Sequence, residues 1–232
     1  TGDATVAPET RERVVNNAIN KLTNGSWVST PQMLWKNNRD KHYFIGVYPI
    51  SAISDLSAGE YTFDETKQVE SDLLVAVNKD GLSYNVDEQQ TVPLTFTHVM
   101  AKLAVNLTYK NQWGGIPTVE KVVVGNAAKE ATINYLTKVV TPSTTAKEDF
   151  SLPEITENTK YVSVIIPQED VKQLTIVIGG KNFVYDNGTP FKLESGKITT
   201  VNLEVGRNEI KLGDVKITDW ENGSTFSGEA LN

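Results

Sequence analysis

The amino-acid sequence predicts an all-β protein made of two antiparallel β-sandwich domains. Three observations carry that reading. Apolar residues recur with a period of two through most of the 232 residues, turn residues separate these runs at regular intervals, and almost no segment keeps helical spacing.

The exception comes first in the chain. Val14, Val15, Ala18, Ile19 and Leu22 follow helical spacing after Glu9 and Glu12 and before Gly25. This predicts one short N-terminal amphipathic helix, with a strand as the competing reading. Runs at 43–48 and 73–77, rich in aromatic and branched residues, fit the pleated, half-buried surface of strands. The clearest run is 96–107, where Val99, Ala101, Leu103, Val105 and Leu107 share one face and His98, Lys102 and Asn106 the other. One long strand is expected there, with Val99, Leu103 and Val105 buried. Segment 109–117 carries Gly114-Gly115 and Pro117 before a fresh apolar run. The expected domains are therefore 1–109 and 110–232.

In the second half, strands are expected at 119–124, 161–166, 174–178, 181–185 and 198–205. Gly179-Gly180 supplies the positive-φ positions of a hairpin between 174–178 and 181–185. Segment 137–149 holds Thr, Ser, Pro and Lys without periodicity and reads as a surface loop. The run 210–217 alternates until Gly213-Asp214, where a bulge or short turn is expected.

Composition narrows the function. A net charge of −7, with both signs mixed along the chain, is wrong for an indiscriminate nucleic-acid binder, which needs clustered Lys and Arg. The absence of cysteine removes thiol catalysis, thiolate metal sites and disulfides together. No stretch approaches the roughly 20 apolar residues of a membrane-spanning helix, and Thr1 does not open a signal peptide, so any leader is expected to precede this chain.

Catalytic chemistry has little to build on. The two histidines, His42 and His98, are isolated from any Gly-x-Ser-x-Gly elbow and from metal-ligand spacing. His98 reads as a packed side chain bonded to backbone or a polar neighbour, and His42, beside Asp40 and Lys41, as solvated. Glu65, Glu70 and Asp72 read as surface acids. No enzyme activity, metal or cofactor is expected. Trp27, Trp35, Trp113 and Trp220 admit two readings: core or interface packing, or flat platforms for sugar rings.

Three segments carry a resemblance. They are Tyr43-Phe-Ile-Gly-Val-Tyr-Pro-Ile50, then Val92-Pro-Leu-Thr-Phe-Thr-His-Val-Met-Ala-Lys-Leu-Ala-Val105, and last Gly196-Lys-Ile-Thr-Thr-Val-Asn-Leu-Glu-Val205 followed by Ile217-Thr-Asp-Trp220. In this order they resemble the fimbrillin family of FimA and Mfa type, the major-fimbria subunits of Gram-negative anaerobes and their fimbrillin-like relatives. The second segment, with its Phe-x-His before an Ala-Lys-Leu strand, is the most specific.

That resemblance implies two transthyretin-like sandwiches and export as a lipoprotein to the outer surface, with the lipid anchor upstream of this chain. It also implies assembly with other fimbrial subunits by strand addition, after a protease removes an N-terminal strand; Arg11 and Arg13 are the candidate processing sites. The alternative function is a carbohydrate-binding cell-surface lipoprotein module, with host or bacterial glycans as partners.

Overall fold

The computed structural model describes residues 15–84, 91–186 and 188–220. The first part holds β1 (Ile19–Thr23), β2 (Ser26–Thr30), β3 (Ile45–Tyr48), β4 (Gly59–Thr62) and β5 (Leu74–Val77). Then come β6 (Thr97–His98) and β7 (Ala101–Tyr109), and a short 3-10 turn at Asn111–Trp113. The middle supplies β8 (Val119–Ala128), β9 (Glu130–Asn134), β10 (Val139–Pro142), β11 (Lys147–Ser151) and β12 (Glu154–Thr156). The last part adds β13 (Lys160–Ile165), β14 (Gln173–Ile178), β15 (Lys181–Asp186), β16 (Lys197–Val205) and β17 (Ile210–Asp219).

Two sheets make the main sandwich, one ordered β11-β8-β14-β15 and the other β12-β13-β7-β16-β17. Smaller sheets are β3-β5-β6, β10-β9-β4 and the hairpin β1-β2. Alternation does the work that the sequence implied: Leu103 and Val105 of β7, Val122 and Val124 of β8, Ile176 of β14 and Leu203 of β16 all point inward and are fully or almost fully buried. Val99 is buried with them. The all-β sandwich and the hairpin at Gly179-Gly180, with φ of 58° and 69°, are as expected.

Four expectations are corrected. Ile19–Thr23 is a strand and not a helix. Asn24 and Gly25, at φ of 50° and 78°, form the tight reversal that pairs it with Ser26–Thr30. The run 96–107 is not one strand, because it changes partners at Val99-Met100. β6 pairs with β5, while β7 pairs with β13 and, in parallel, with β16. The apolar core runs unbroken from Phe63 and Val75 to Val124 and Leu203. Segment 137–149 is no simple loop, since it holds β10 and the start of β11, both at sheet edges. Edge strands bury few side chains, so they leave little period to read. Last, the β7–β16 pair makes the five-stranded sheet mixed rather than wholly antiparallel; its long connection is the entire stretch from β8 to β15.

Glutamines tie loops to this frame. Gln168 is only 4% exposed. Its Oε1 accepts from the Ala128 N–H at 2.9 Å and its Nε2 donates to the Ile166 carbonyl at 2.9 Å. Gln68 plays a similar part between the 64–71 loop and β13, accepting from the Val164 N–H at 2.7 Å.

Candidate functional site

The last strand dominates the accessible edges. Among the described residues β17 pairs with β16 alone, and none of their strands lies hydrogen-bonded along its outer edge. Between Val201↔Val215 and Leu203↔Leu212 it carries one extra residue, at Gly213-Asp214, where the sequence called for a bulge. Glycine suits the position, because a Cβ there would lie 3.2 Å from the Asn202 carbonyl oxygen. Asn202 Nδ2 donates to Asp214 Oδ1 at 2.6 Å and fixes the irregularity.

Opposite registry puts Leu212, Val215 and Ile217 on the inward face, across from Leu203, Val201 and Thr199. Yet these three remain 36%, 38% and 40% exposed. β15 and β17 are the edge strands of the two sheets and lie against each other on one flank, where these side chains keep part of their surface in solvent. Phe183 of β15 is half-buried at this seam. Trp113 closes one end. Its Nε1 donates to the Val205 carbonyl at 3.0 Å, and its ring meets Phe183 edge-on at 5.9 Å beneath the Arg207 guanidinium.

At the far end of β17 the second and third of the segments that carry the family resemblance meet. Trp220 stacks on His98 with ring centroids 3.9 Å apart and planes 8° from parallel. Lys102 Nζ lies 4.0 Å from the Trp220 ring, and burial pulls its pKa below the usual lysine value against the opposing charge of Asp72. His98 Nδ1 bonds Asp72 Oδ1 at 2.7 Å, so the histidine is packed and partnered as expected. Gly196, at φ of 68°, donates its N–H to the Met100 carbonyl and accepts from the Trp220 N–H at 2.9 Å. The array fastens the end of β17 to the point where the chain passes between sheets. Stacking and cation–π contact together contribute about 1–3 kcal/mol. Trp220→Ala is accordingly expected to speed amide exchange at Ile217–Asp219 about tenfold or more, leaving β7 unchanged. Equal exchange in the two proteins would show that Trp220 does not hold the strand.

The other singled-out residues scatter. Trp27 projects from the β1–β2 hairpin at 61% exposure. Trp35 sits in the loop before β3. His42, expected in solvent, is buried instead, because both ring nitrogens find partners in that loop: the Lys36 N–H at 3.1 Å and the Asp40 carbonyl at 3.1 Å. Glu65 and Glu70 stand near Asp72 in sequence, but only Asp72 joins His98. Arg11 and Arg13 lie outside the described residues. Sequence reasoning flagged His98 and Trp220 in separate motifs. It had no means of pairing them, and it missed the seam because exposure of an inward-facing residue depends on where the sheets end.

Comparison with known proteins agrees with this geometry. A family model described as fimbrillin-like matches residues 1–220. No curated protein matches the sequence. Among solved structures, a proposed cell adhesion protein from Bacteroides uniformis superimposes with a TM-score of 0.64 at 19% identity, over 78% of this chain and 73% of that one. A second such protein, from Bacteroides ovatus, gives 0.58 at 18% identity, over 80% and 71%. A fimbrial protein from Bacteroides vulgatus gives 0.60 at 13% identity, over 94% and 88%. At these identities the likeness is one of fold.

Proposed function

This chain belongs to the fimbrillin-like family, and from that premise we propose that it is a structural subunit or accessory adhesin of a bacterial surface fimbria, joined to its neighbours by strand exchange along the β15–β17 seam. The family points to a fimbrial, non-enzymatic role at the cell surface. Export as a lipoprotein and anchoring upstream of residue 1 belong to the proposal, as does processing at Arg11 or Arg13. The division into domains 1–109 and 110–232 belongs to the proposal as well.

The observation that supports strand exchange is the row Leu212, Val215 and Ile217, which faces inward but is left over a third exposed. An extended segment laid into the seam would pair with backbone groups of an edge strand and cover this row. Completing the burial of each aliphatic side chain adds about 1 kcal/mol. Lys211 and Lys216 on the outward face, with the bulge between them, blunt casual pairing along this edge.

The test is size-exclusion chromatography and electron microscopy before and after limited cleavage by an arginine-specific protease. Cut protein is expected to form oligomers or filaments. The double variant Val215→Lys/Ile217→Lys is expected to stay monomeric with an unchanged circular dichroism spectrum. Persistent monomers after cutting, or undiminished assembly of the double variant, would rule out this seam as the joint.

A further inference from the structure

On another part of the molecule, the loop joining β2 to β3 is built with more care than a connector needs. Asn37 Oδ1 accepts from the backbone N–H groups of Arg39 and Asp40 at 2.9 and 2.8 Å, and its Nδ2 donates to Asp40 Oδ2 at 2.8 Å. The Lys36 N–H donates to His42 Nε2, which leaves the proton on Nδ1 to reach the Asp40 carbonyl. His42 is thereby buried and fixed. Its ring in turn props Trp35 edge-on, at 5.1 Å and 89°, and Phe44 does the same at 5.6 Å and 79°. Tyr84 inclines toward Trp35 at 5.8 Å and 35°. A loop with little regular structure thus holds an indole in one orientation beside an open cavity of about 450 Å³, lined by Leu34, Trp35, Asn37, Asn38 and Tyr84.

We propose that this cavity is a binding site for a neutral sugar, a hexopyranose unit at the end of a glycan. The lining combines two aromatic rings with two amides and has no residue that is charged at neutral pH. The lining itself therefore offers no charge to pair with an ionic ligand. An apolar peptide side chain would fill the aromatic part but would give the Asn38 amide no partner, at about 1–3 kcal/mol if it covered that group. A pyranose answers both demands: its C–H face lies on a flat ring, and its hydroxyls both donate and accept. Asn37 already spends its carbonyl on the loop, so Asn38, exposed on the rim, is the amide left to read the hydroxyls. The volume falls within the range of about 300–1,000 Å³ usual for small-molecule sites. The shape is shallow and open, which fits one terminal unit rather than an enclosed ligand. The site is remote in sequence from the β15–β17 seam and does not rest on strand exchange.

The experiment is saturation-transfer NMR of the whole chain with glucose, galactose, mannose and N-acetylgalactosamine. It is followed by titration of the tryptophan indole N–H signals with whichever sugar binds. At least one sugar is expected to bind in the millimolar range, with perturbation of the Trp35 signal. Asn38→Ala and Tyr84→Ala are each expected to weaken binding about tenfold, and Trp35→Ala to abolish it. Trp35→Phe keeps the ring packing on His42 and Phe44 and is expected to retain measurable binding. Trp27→Ala, outside the cavity, is expected to change nothing. The assignment is overturned if none of the four sugars binds at tens of millimolar, or if binding survives Asn38→Ala and Trp35→Ala undiminished. It is equally overturned if an apolar peptide occupies the cavity while sugars do not. Filament formation is read separately, so failure here leaves the assembly proposal standing, and the reverse.

Discussion

Replacing Leu103 with alanine is expected to lower the unfolding free energy by about 2–5 kcal/mol, enough to threaten a domain of ordinary stability. Leu103 is 0% exposed in the middle of β7. That strand is itself the centre of its sheet, with Ser163 of β13 and Thr199 of β16 paired on either side. Inward, the side chain belongs to the cluster that includes Val122, Val124, Ile176 and Leu203. Strands bonded on both edges cannot slide in to fill a vacated volume, so the cavity term is felt nearly in full. Urea titration should show a lower midpoint with an unchanged slope. Ile155→Ala, at 60% exposure on the edge strand β12, should shift the midpoint little. Similar losses from both substitutions would contradict the packing described for β7.

Gln168→Ala is expected to be comparably severe for a different reason. The substitution removes little apolar contact, but it deprives the Ala128 N–H and the Ile166 carbonyl of their only described side-chain partner. Each buried group left unpaired costs about 1–3 kcal/mol, so the loss is about 2–6 kcal/mol. Gln168→Leu should do no better despite restoring volume, which separates lost hydrogen bonds from lost packing. A loss confined to Ala and rescued by Leu would mean that Gln168 is mere filler. Hydrogen exchange at Ala128 gives a local reading of the same event, since its amide is expected to lose protection first.

Among the strands legible in the sequence, β7, β8, β13, β14 and β16 alternate because the sandwich buries every second residue. β15 and β17 were marked by their turns and alternating composition, although they bury none fully. Position in the sheet, not propensity, hid the others. β10 and β12 have no fully buried residue, and β11 buries only Phe150, so no period survives. The Asn24-Gly25 reversal was a stronger local signal than the helical spacing around it, and the structure follows the turn. The break at Val99-Met100 shows in the sequence only as a one-residue shift of alternation, from Phe96 and His98 to Ala101, Leu103 and Val105, and such a shift does not say that the chain has changed sheets. The candidate sites divide in the same way. Glycine at 213 and tryptophan at 220 are visible as residues, but the open flank and the His98–Trp220 stack are properties of the folded arrangement.

The parallel pairing of β7 with β16 also sets an order of events in the living chain. Both partners of β7 lie downstream, β13 starting at Lys160 and β16 at Lys197. At ordinary synthesis rates of about 5–20 residues per second, the central strand β7 waits about 5–20 seconds for its second neighbour to be made. Contacts this distant in sequence make late closure and slow folding the rule. A nascent chain so arranged stays open until its C-terminal part exists. Until then the apolar face of β7 has no cover, and adding a holdase chaperone during synthesis is expected to raise the yield of folded protein.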